Sequence, residues 1–581
     1  MNFSQKEILA TIPIHLRQFV EHQDYTRYTS QDHAVWRYIM RQHLDHLRKY
    51  AHPLYEKALA KTGIAIDHVP SIEEMNTCLS KLGWRAIVVN GYIPASAFME
   101  FHSHKILPIA LDMRTIEHIH YTPAPDIVHE AAGHAPFIAD MDYAEYLQKF
   151  GLCGHKAMYT KKDLAIYESI RHLSIIKEIP STPKEEIDKA EKALTELMAS
   201  DTSPSESSKL TRLFWWTAEY GLVGEIDHYK IFGAGLLSSI GESRSCLDDR
   251  KVKKIPLTVD CVNTAFDITE PQPQLFVTKS CKHMSQVLDE FSENMCFRKG
   301  GVESIRTAIV AEIVATCEYS SGLQVSGQFT KLLTDAADHV IYIGTTGPTQ
   351  LAYHYKELPG HGTHYHSQGF GSPVGNLQNI QEDLQEMSVD ELKKYGIEVS
   401  KEVTLEFLSG ITVKGWLENI LREGGKNLIF TFKNCTVTDL EGQVLFQPDW
   451  GNYDMAVGKA IVSVYSGSAD REKFDIYPPK SGLSLPKKKF SEKEKQLFVH
   501  YQNVRDMRDA KKLDIDQLKA ITSALTKDDP KEWLLRLEIY ELVADRAQHT
   551  EFSKNLLLDL EDLKKVSHEY RQWIEDGLKV L

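Results

Sequence analysis

The sequence predicts a mainly helical domain with few short strands over the first half of the chain, then a β-rich domain, then a C-terminal helical region. Three observations predict that order. Apolar residues recur at three and four positions between residues 31 and 50, the period of an amphipathic helix. Runs rich in β-branched and aromatic residues, such as 428–437 and 460–465, crowd the stretch from about 402 to 465. Beyond it the signals turn helical again, with Asp529-Pro-Lys-Glu532 in capping-box form.

The composition sets limits. At 581 residues, 42% hydrophobic and 25% charged, the chain is long enough for about three or four domains of usual size. A formal charge of -14 without a long basic run argues against nucleic acid or an anionic membrane surface as partner. The first residues lack a secretory pattern, and no run approaches the roughly 18 apolar residues of a membrane helix, so a cytoplasmic protein is expected. The eight cysteines form no Cys-x-x-Cys pair and are expected as reduced thiols.

Taken in order, residues 1 to about 80 read as helices, with His43, His46 and His52 as structural histidines. A short strand is expected before the Asn90-Gly91 turn signal. Residues 158–209 read as a helical hairpin inserted into the first domain, which ends near 297. Residues 298–380 are expected as a helical and loop connection, with a helix over 302–316 and a loop at 344–349. Within it, His361, His364 and His366 lie among five glycines. With no Cys or acidic residue inside that cluster, an ordered glycine-rich loop is the preferred reading over a second metal site. A small β-rich domain over 381–485, marked by turn signals at Gly424-Gly425 and Gly442, and helices over 486–581 complete the chain.

The chemistry concentrates in Pro123-Ala-Pro-Asp-Ile-Val-His129-Glu130-Ala-Ala-Gly-His134-Ala-Pro136. In a zinc-hydrolase His-Glu-x-x-His helix the imidazoles sit four apart on one face. Here they sit five apart, about 140° around a straight α-helix, so one ion cannot take both. Either the helix ends between them or it is distorted, and Gly133 and Pro136 favour an ending. Glu219, a carboxylate inside an aromatic helical run, is the natural third ligand. Two histidines and one carboxylate describe the facial triad of non-haem iron oxygenases. Asp126 reads either as an acceptor for a ligand imidazole or as a helix N-cap.

Three stretches in order carry a family resemblance: Tyr121-Thr-Pro-x-Pro-Asp-x-x-His-Glu-x-x-Gly-His-x-Pro136, Trp215-x-x-x-Glu219-Tyr-Gly-Leu222, and Gly233-Ala-Gly-Leu-Leu-Ser-Ser-x-Gly-Glu242. The sequence resembles the pterin-dependent aromatic amino acid hydroxylases, nearest to bacterial members acting on phenylalanine, here with a long C-terminal extension. The resemblance implies Fe(II) held by His129, His134 and Glu219. It implies a tetrahydropterin, tetrahydrobiopterin or a related bacterial pterin, wrapped by Gly91, Tyr92 and Ile93, stacked on Phe98 and close to Glu130, the residue nearest the chemistry. Arg114, Thr122 and Ser238 would hold the carboxylate of an aromatic amino acid, with Trp215 in its pocket and O2 as co-substrate. Ile268 and Trp215 favour phenylalanine, whereas Pro108 stands where animal members carry histidine. Hydroxylation of tyrosine or tryptophan, a zinc hydrolase with Glu130 as base, and a binding protein on the same scaffold remain alternatives. Self-association is left open.

Overall fold

Helix Ser30–Tyr50 forms the spine of the first half, opened by a capping box in which Thr29 and Asp32 satisfy each other's backbone N–H groups. Its apolar face, including Trp36, Ile39 and Leu47, is buried. The computed structural model describes residues 5–89, 93–119, 126–178, 182–199, 203–267, 271–477, 490–544 and 550–581. Two small sheets support the site. Strand Arg85–Val89 pairs in parallel with Ile106–Ala110, and helix Ala95–Ser103 crosses between them. Pro108 lies on the outer strand of that sheet, opposite Ile87, where a missing N–H is tolerated. A second sheet runs His228–Ile231, Leu222–Glu225, Gln274–Thr278, Lys253–Pro256. Helices Lys161–Glu178 and Lys184–Ala199 pack on each other as a hairpin.

The expectation for residues 298–380 is corrected. A helix spans Gly301–Ala311, but strands Val314–Tyr319, Leu323–Thr334 and Val340–Tyr353 follow at once. They form a sheet with Ile461–Ser466 returning to pair with Val314–Tyr319. The strand structure therefore begins well before residue 381. The expected loop at 344–349 lies inside Val340–Tyr353, where the register shifts between Thr346 and Gln350 and Gly347 takes a φ of 73°. A second antiparallel sheet is built on Lys401–Glu406, Thr412–Glu423 and Lys426–Thr438. Gly424 and Gly425, at φ of 56° and 83°, make the tight turn between its two longest strands.

The C-terminal helices, from Glu492–Asp509 to His568–Lys579, share one apolar core with the first half. Arg37 of the spine donates to Glu541 at 2.7 and 2.6 Å and to Glu538 at 3.2 Å, and Tyr38 donates to the carbonyl of Trp573 at 2.7 Å. The capping box expected at Asp529 is absent. The helix instead starts at Leu534, and the Glu532 carboxylate accepts from the backbone of Leu534 and Leu535. Pro486-Lys-Lys-Lys489, which reads in the sequence as a short solvated linker ahead of these helices, lies outside the described residues. Among those residues, no helix is long and apolar enough to cross a membrane.

Candidate metal centre and active site

His129 and His134 lie on a π-helical turn, Val128–His134. Its i→i+5 hydrogen bonds, one of them from the Ala135 N–H to the Glu130 carbonyl, widen the turn and stack residues five apart. Of the two ways around the spacing, distortion holds and termination does not. Gly133 serves a different purpose: a Cβ there would meet the Ala234 carbonyl oxygen at 2.8 Å and the Ala234 Cβ at 2.9 Å. It lets the Ala234–Leu237 helix rest directly on the widened turn. Glu219 ends a second π-helical turn, Trp215–Glu219. Gly233 lies against its backbone, where a Cβ would meet the Glu219 carbonyl oxygen at 2.5 Å.

These turns bring the three expected ligands together. Nε2 of His129 lies 3.1 Å from one Glu219 oxygen, and Nε2 of His134 lies 3.1 Å from the other. The two rings stand edge to face, 5.0 Å apart. Burial pushes the Glu219 carboxyl up, but the His134 and His129 imidazoles outweigh it and hold the group well below the usual carboxylate range. Burial likewise opposes the charge on His129, and Glu219 overrides it, so the imidazole is pushed up to about 9. Such a set of two imidazole nitrogens and a carboxylate, converging in a buried place, suits a divalent transition metal.

The neighbours fix these ligands. The Ser238 hydroxyl donates to the Ala234 carbonyl at 2.8 Å and lies 3.0 Å from Nδ1 of His129. Its proton is therefore committed, so it accepts from Nδ1–H and leaves Nε2 to face Glu219. Asp126 does not touch the imidazole. It accepts from the His129 backbone N–H at 3.0 Å, in the manner of an N-cap, and holds Arg114 through Nε at 2.7 Å and Nη2 at 2.8 Å. Arg114 also donates through Nη1 to the Ser238 carbonyl at 3.1 Å. Among the described residues, three of its five N–H groups are thus engaged.

Phe98 is half-buried, its ring 4.5 Å from His102 and 6.0 Å from Phe214, and Phe214 in turn stacks on His134. His102 and Phe214 were not anticipated, although His102 follows Phe98 by one helical turn. Burial holds the His102 imidazole down to about 3, so it is neutral. Glu130 is buried, its Oε2 without a hydrogen-bond partner among the described residues, and burial raises its carboxyl. Trp215 is sandwiched between Phe266 at 4.2 Å and Tyr220 at 4.6 Å. Ile93 packs beside the cluster holding Val89 and Phe101. Gly91, Tyr92, Thr122 and Ile268 lie outside the described residues.

A family model, biopterin-dependent aromatic amino acid hydroxylase, matches residues 4–181 and 183–304. Among curated proteins, the phenylalanine-4-hydroxylase of Mesorhizobium japonicum is 30% identical over 265 residues, 45% of this chain and 80% of that protein. The phenylalanine-4-hydroxylase of Pseudomonas aeruginosa is 26% identical, over 46% of this chain and 85% of that protein. A solved structure of phenylalanine hydroxylase from Chromobacterium violaceum is 26% identical, covering 47% of this chain and 83% of that one, with a TM-score of 0.36.

Proposed function

The chain belongs to the biopterin-dependent aromatic amino acid hydroxylase family, and from that premise we propose that it is an iron- and tetrahydropterin-dependent monooxygenase converting L-phenylalanine to L-tyrosine. The observation that carries this reading is the convergence of His129, His134 and Glu219 on two π-helical turns inside the matched region. The phenylalanine-4-hydroxylases among its relatives favour phenylalanine over tyrosine or tryptophan. The i+5 spacing and the aromatic surroundings of Glu219 disfavour a zinc hydrolase.

His129, His134 and Glu219 would hold the iron, and the donor set fits it. Iron and tetrahydropterin, when bound, supply the activation of O2. Everything else falls to the chain. Phe98, braced by His102, offers a ring for the pterin to stack on. The unpartnered Oε2 of Glu130 suits an N–H donor from that ring. The remaining N–H groups of Arg114 would take the substrate carboxylate, with Thr122 eight residues on in the sequence as its expected companion and the Ser238 carbonyl holding the guanidinium from behind. Trp215, fixed between two aromatic rings, forms a rigid apolar wall for the substrate side chain. Buried aromatics around the ligands exclude water.

The domain division follows from the same reading. Residues 1–297 form the catalytic unit with its 158–209 insertion, and the C-terminal helices complete that unit's core. Aerobic turnover of phenylalanine, tyrosine and tryptophan by iron-loaded protein with tetrahydropterin tests the function. Tyrosine from phenylalanine is the expected product. No hydroxylated product from any of the three, with iron bound, would sink it.

A further inference from the structure

The second half carries a polar cluster of its own. His361 and His366 of the glycine-rich loop meet Asp454 of strand Tyr453–Ala456. Nδ1 of His361 lies 3.2 Å from Nε2 of His366 and 3.9 Å from Oδ2 of Asp454. His364, the third histidine of the loop, is exposed and outside the group. The acidic residue missing from the sequence cluster thus arrives from a distant strand.

The scaffold around the three is ordered. The His361 carbonyl accepts from Leu351 at 2.9 Å and the His366 carbonyl from Thr349 at 3.1 Å, so both backbones are tied to strand Val340–Tyr353. Asp454 sits opposite Thr431 in the other sheet, and the Thr431 hydroxyl donates to its Oδ1 at 2.6 Å. That bond orients the carboxylate and leaves Oδ2 turned toward His361. Supporting partners of this kind, on strands rather than free loops, are what a preorganised metal site needs.

A bare ring-to-ring hydrogen bond is the plainer account, and it leaves one thing unexplained. Asp454 is only 5% exposed. The Thr431 and Tyr365 hydroxyls satisfy its lone pairs but not its charge. Among the described residues no Lys or Arg lies within 4.0 Å of it, and His361 at 3.9 Å is beyond hydrogen-bond reach. A buried carboxylate without a counter-charge is costly. A divalent cation removes that cost. Two imidazole nitrogens on a tetrahedral zinc are about 3.3 Å apart, close to the separation here, and with all three donor atoms within 4.8 Å of one another the carboxylate would close in on both rings as it binds.

We propose that His361, His366 and Asp454 form a second metal site, separate from the hydroxylase centre, that takes Zn(II) with water as fourth ligand and ties the glycine-rich loop to the neighbouring sheet. Imidazole and carboxylate together favour zinc over magnesium or calcium.

The test uses the full chain carrying His129→Ala and Glu219→Ala, which removes the hydroxylase ligands, stripped with chelator and titrated with Zn(II) alone. One zinc per chain is expected, with a raised melting temperature. Adding His366→Asn or Asp454→Asn should weaken binding at least 100-fold and abolish the rise, and His364→Ala should change neither. Circular dichroism identifies which variants fold. Failure of the parent to bind zinc, or undiminished binding in any folded His366→Asn, His361→Asn or Asp454→Asn chain, would overturn the proposal.

Discussion

The hydroxyl of Ser238 accepts a hydrogen bond from Nδ1 of His129 because its own proton is already given to the Ala234 carbonyl. One side chain therefore sets which nitrogen of a ligand imidazole faces Glu219. Removing it in Ser238→Ala leaves Nδ1–H unpaired while the Ser238 backbone carbonyl still receives Arg114. Iron affinity should fall about 10- to 100-fold, as for loss of other supporting partners of metal ligands. Competition with a coloured Fe(II) chelator reads this directly; unchanged affinity would remove Ser238 from the account of the centre.

Arg114→Ala should do more than weaken substrate binding. Its guanidinium neutralises Asp126, which is 2% exposed and caps the turn bearing His129. Breaking a buried pair from one side costs about 3–5 kcal/mol. A raised KM for phenylalanine and a lowered melting temperature are expected together. A KM effect with unaltered stability would mean that Asp126 finds another partner.

Gly133→Ala tests the widened turn. The new methyl would press on Ala234, and overpacking of this kind costs about 1–3 kcal/mol. Because the Ala234–Leu237 helix leads into Ser238, iron affinity should fall along with stability. Wild-type iron binding in this variant would show that the close approach is not needed.

Glu100, two residues after Phe98, joins the two halves of the chain. Its buried carboxylate accepts from Arg471, five residues after strand Ile461–Ser466, and pairs with His15 at 2.8 Å. Burial pushes the Glu100 carboxyl up, but Arg471 and His15 outweigh it and hold the group well below its ordinary value. A depressed carboxylate adds stability above its unfolded value, and that stability drains away as pH falls through the range below 4.5. Arg471→Met should cost about 3–5 kcal/mol at neutral pH and flatten this acid-side slope. Thermal melts from pH 3 to 7 check both, and parallel slopes in the two proteins would contradict the coupling.

The convergence of His129, His134 and Glu219 was legible because two are close in sequence and the third sits in an aromatic run that has no other use for a charge. The π-turn was not. Spacing alone showed that a straight α-helix fails, but Gly133 looked like a helix end when its role is set by Ala234, a contact from a hundred residues away. Residues 314–353 hid for a related reason. Strands Leu323–Thr334 and Val340–Tyr353 are buried on both faces over long stretches, so the alternation that marks a half-exposed strand is missing. Asp454 shows the same limit at the histidine loop, since its partners share no local pattern with it. The resemblance marks Arg114 as a carboxylate binder, while its engagement with Asp126 and the Ser238 carbonyl needs three-dimensional contacts to see.

The most direct test of monooxygenation follows the oxygen atom. Iron-loaded protein is given phenylalanine and tetrahydropterin under labelled dioxygen, 18O2, and the tyrosine formed is weighed by mass spectrometry. One labelled oxygen in the product ring, and none when the label is in water instead, is expected of a monooxygenase built on His129, His134 and Glu219, with the label lost in Glu219→Ala. Label arriving from water, or labelled tyrosine still formed by Glu219→Ala, would contradict it.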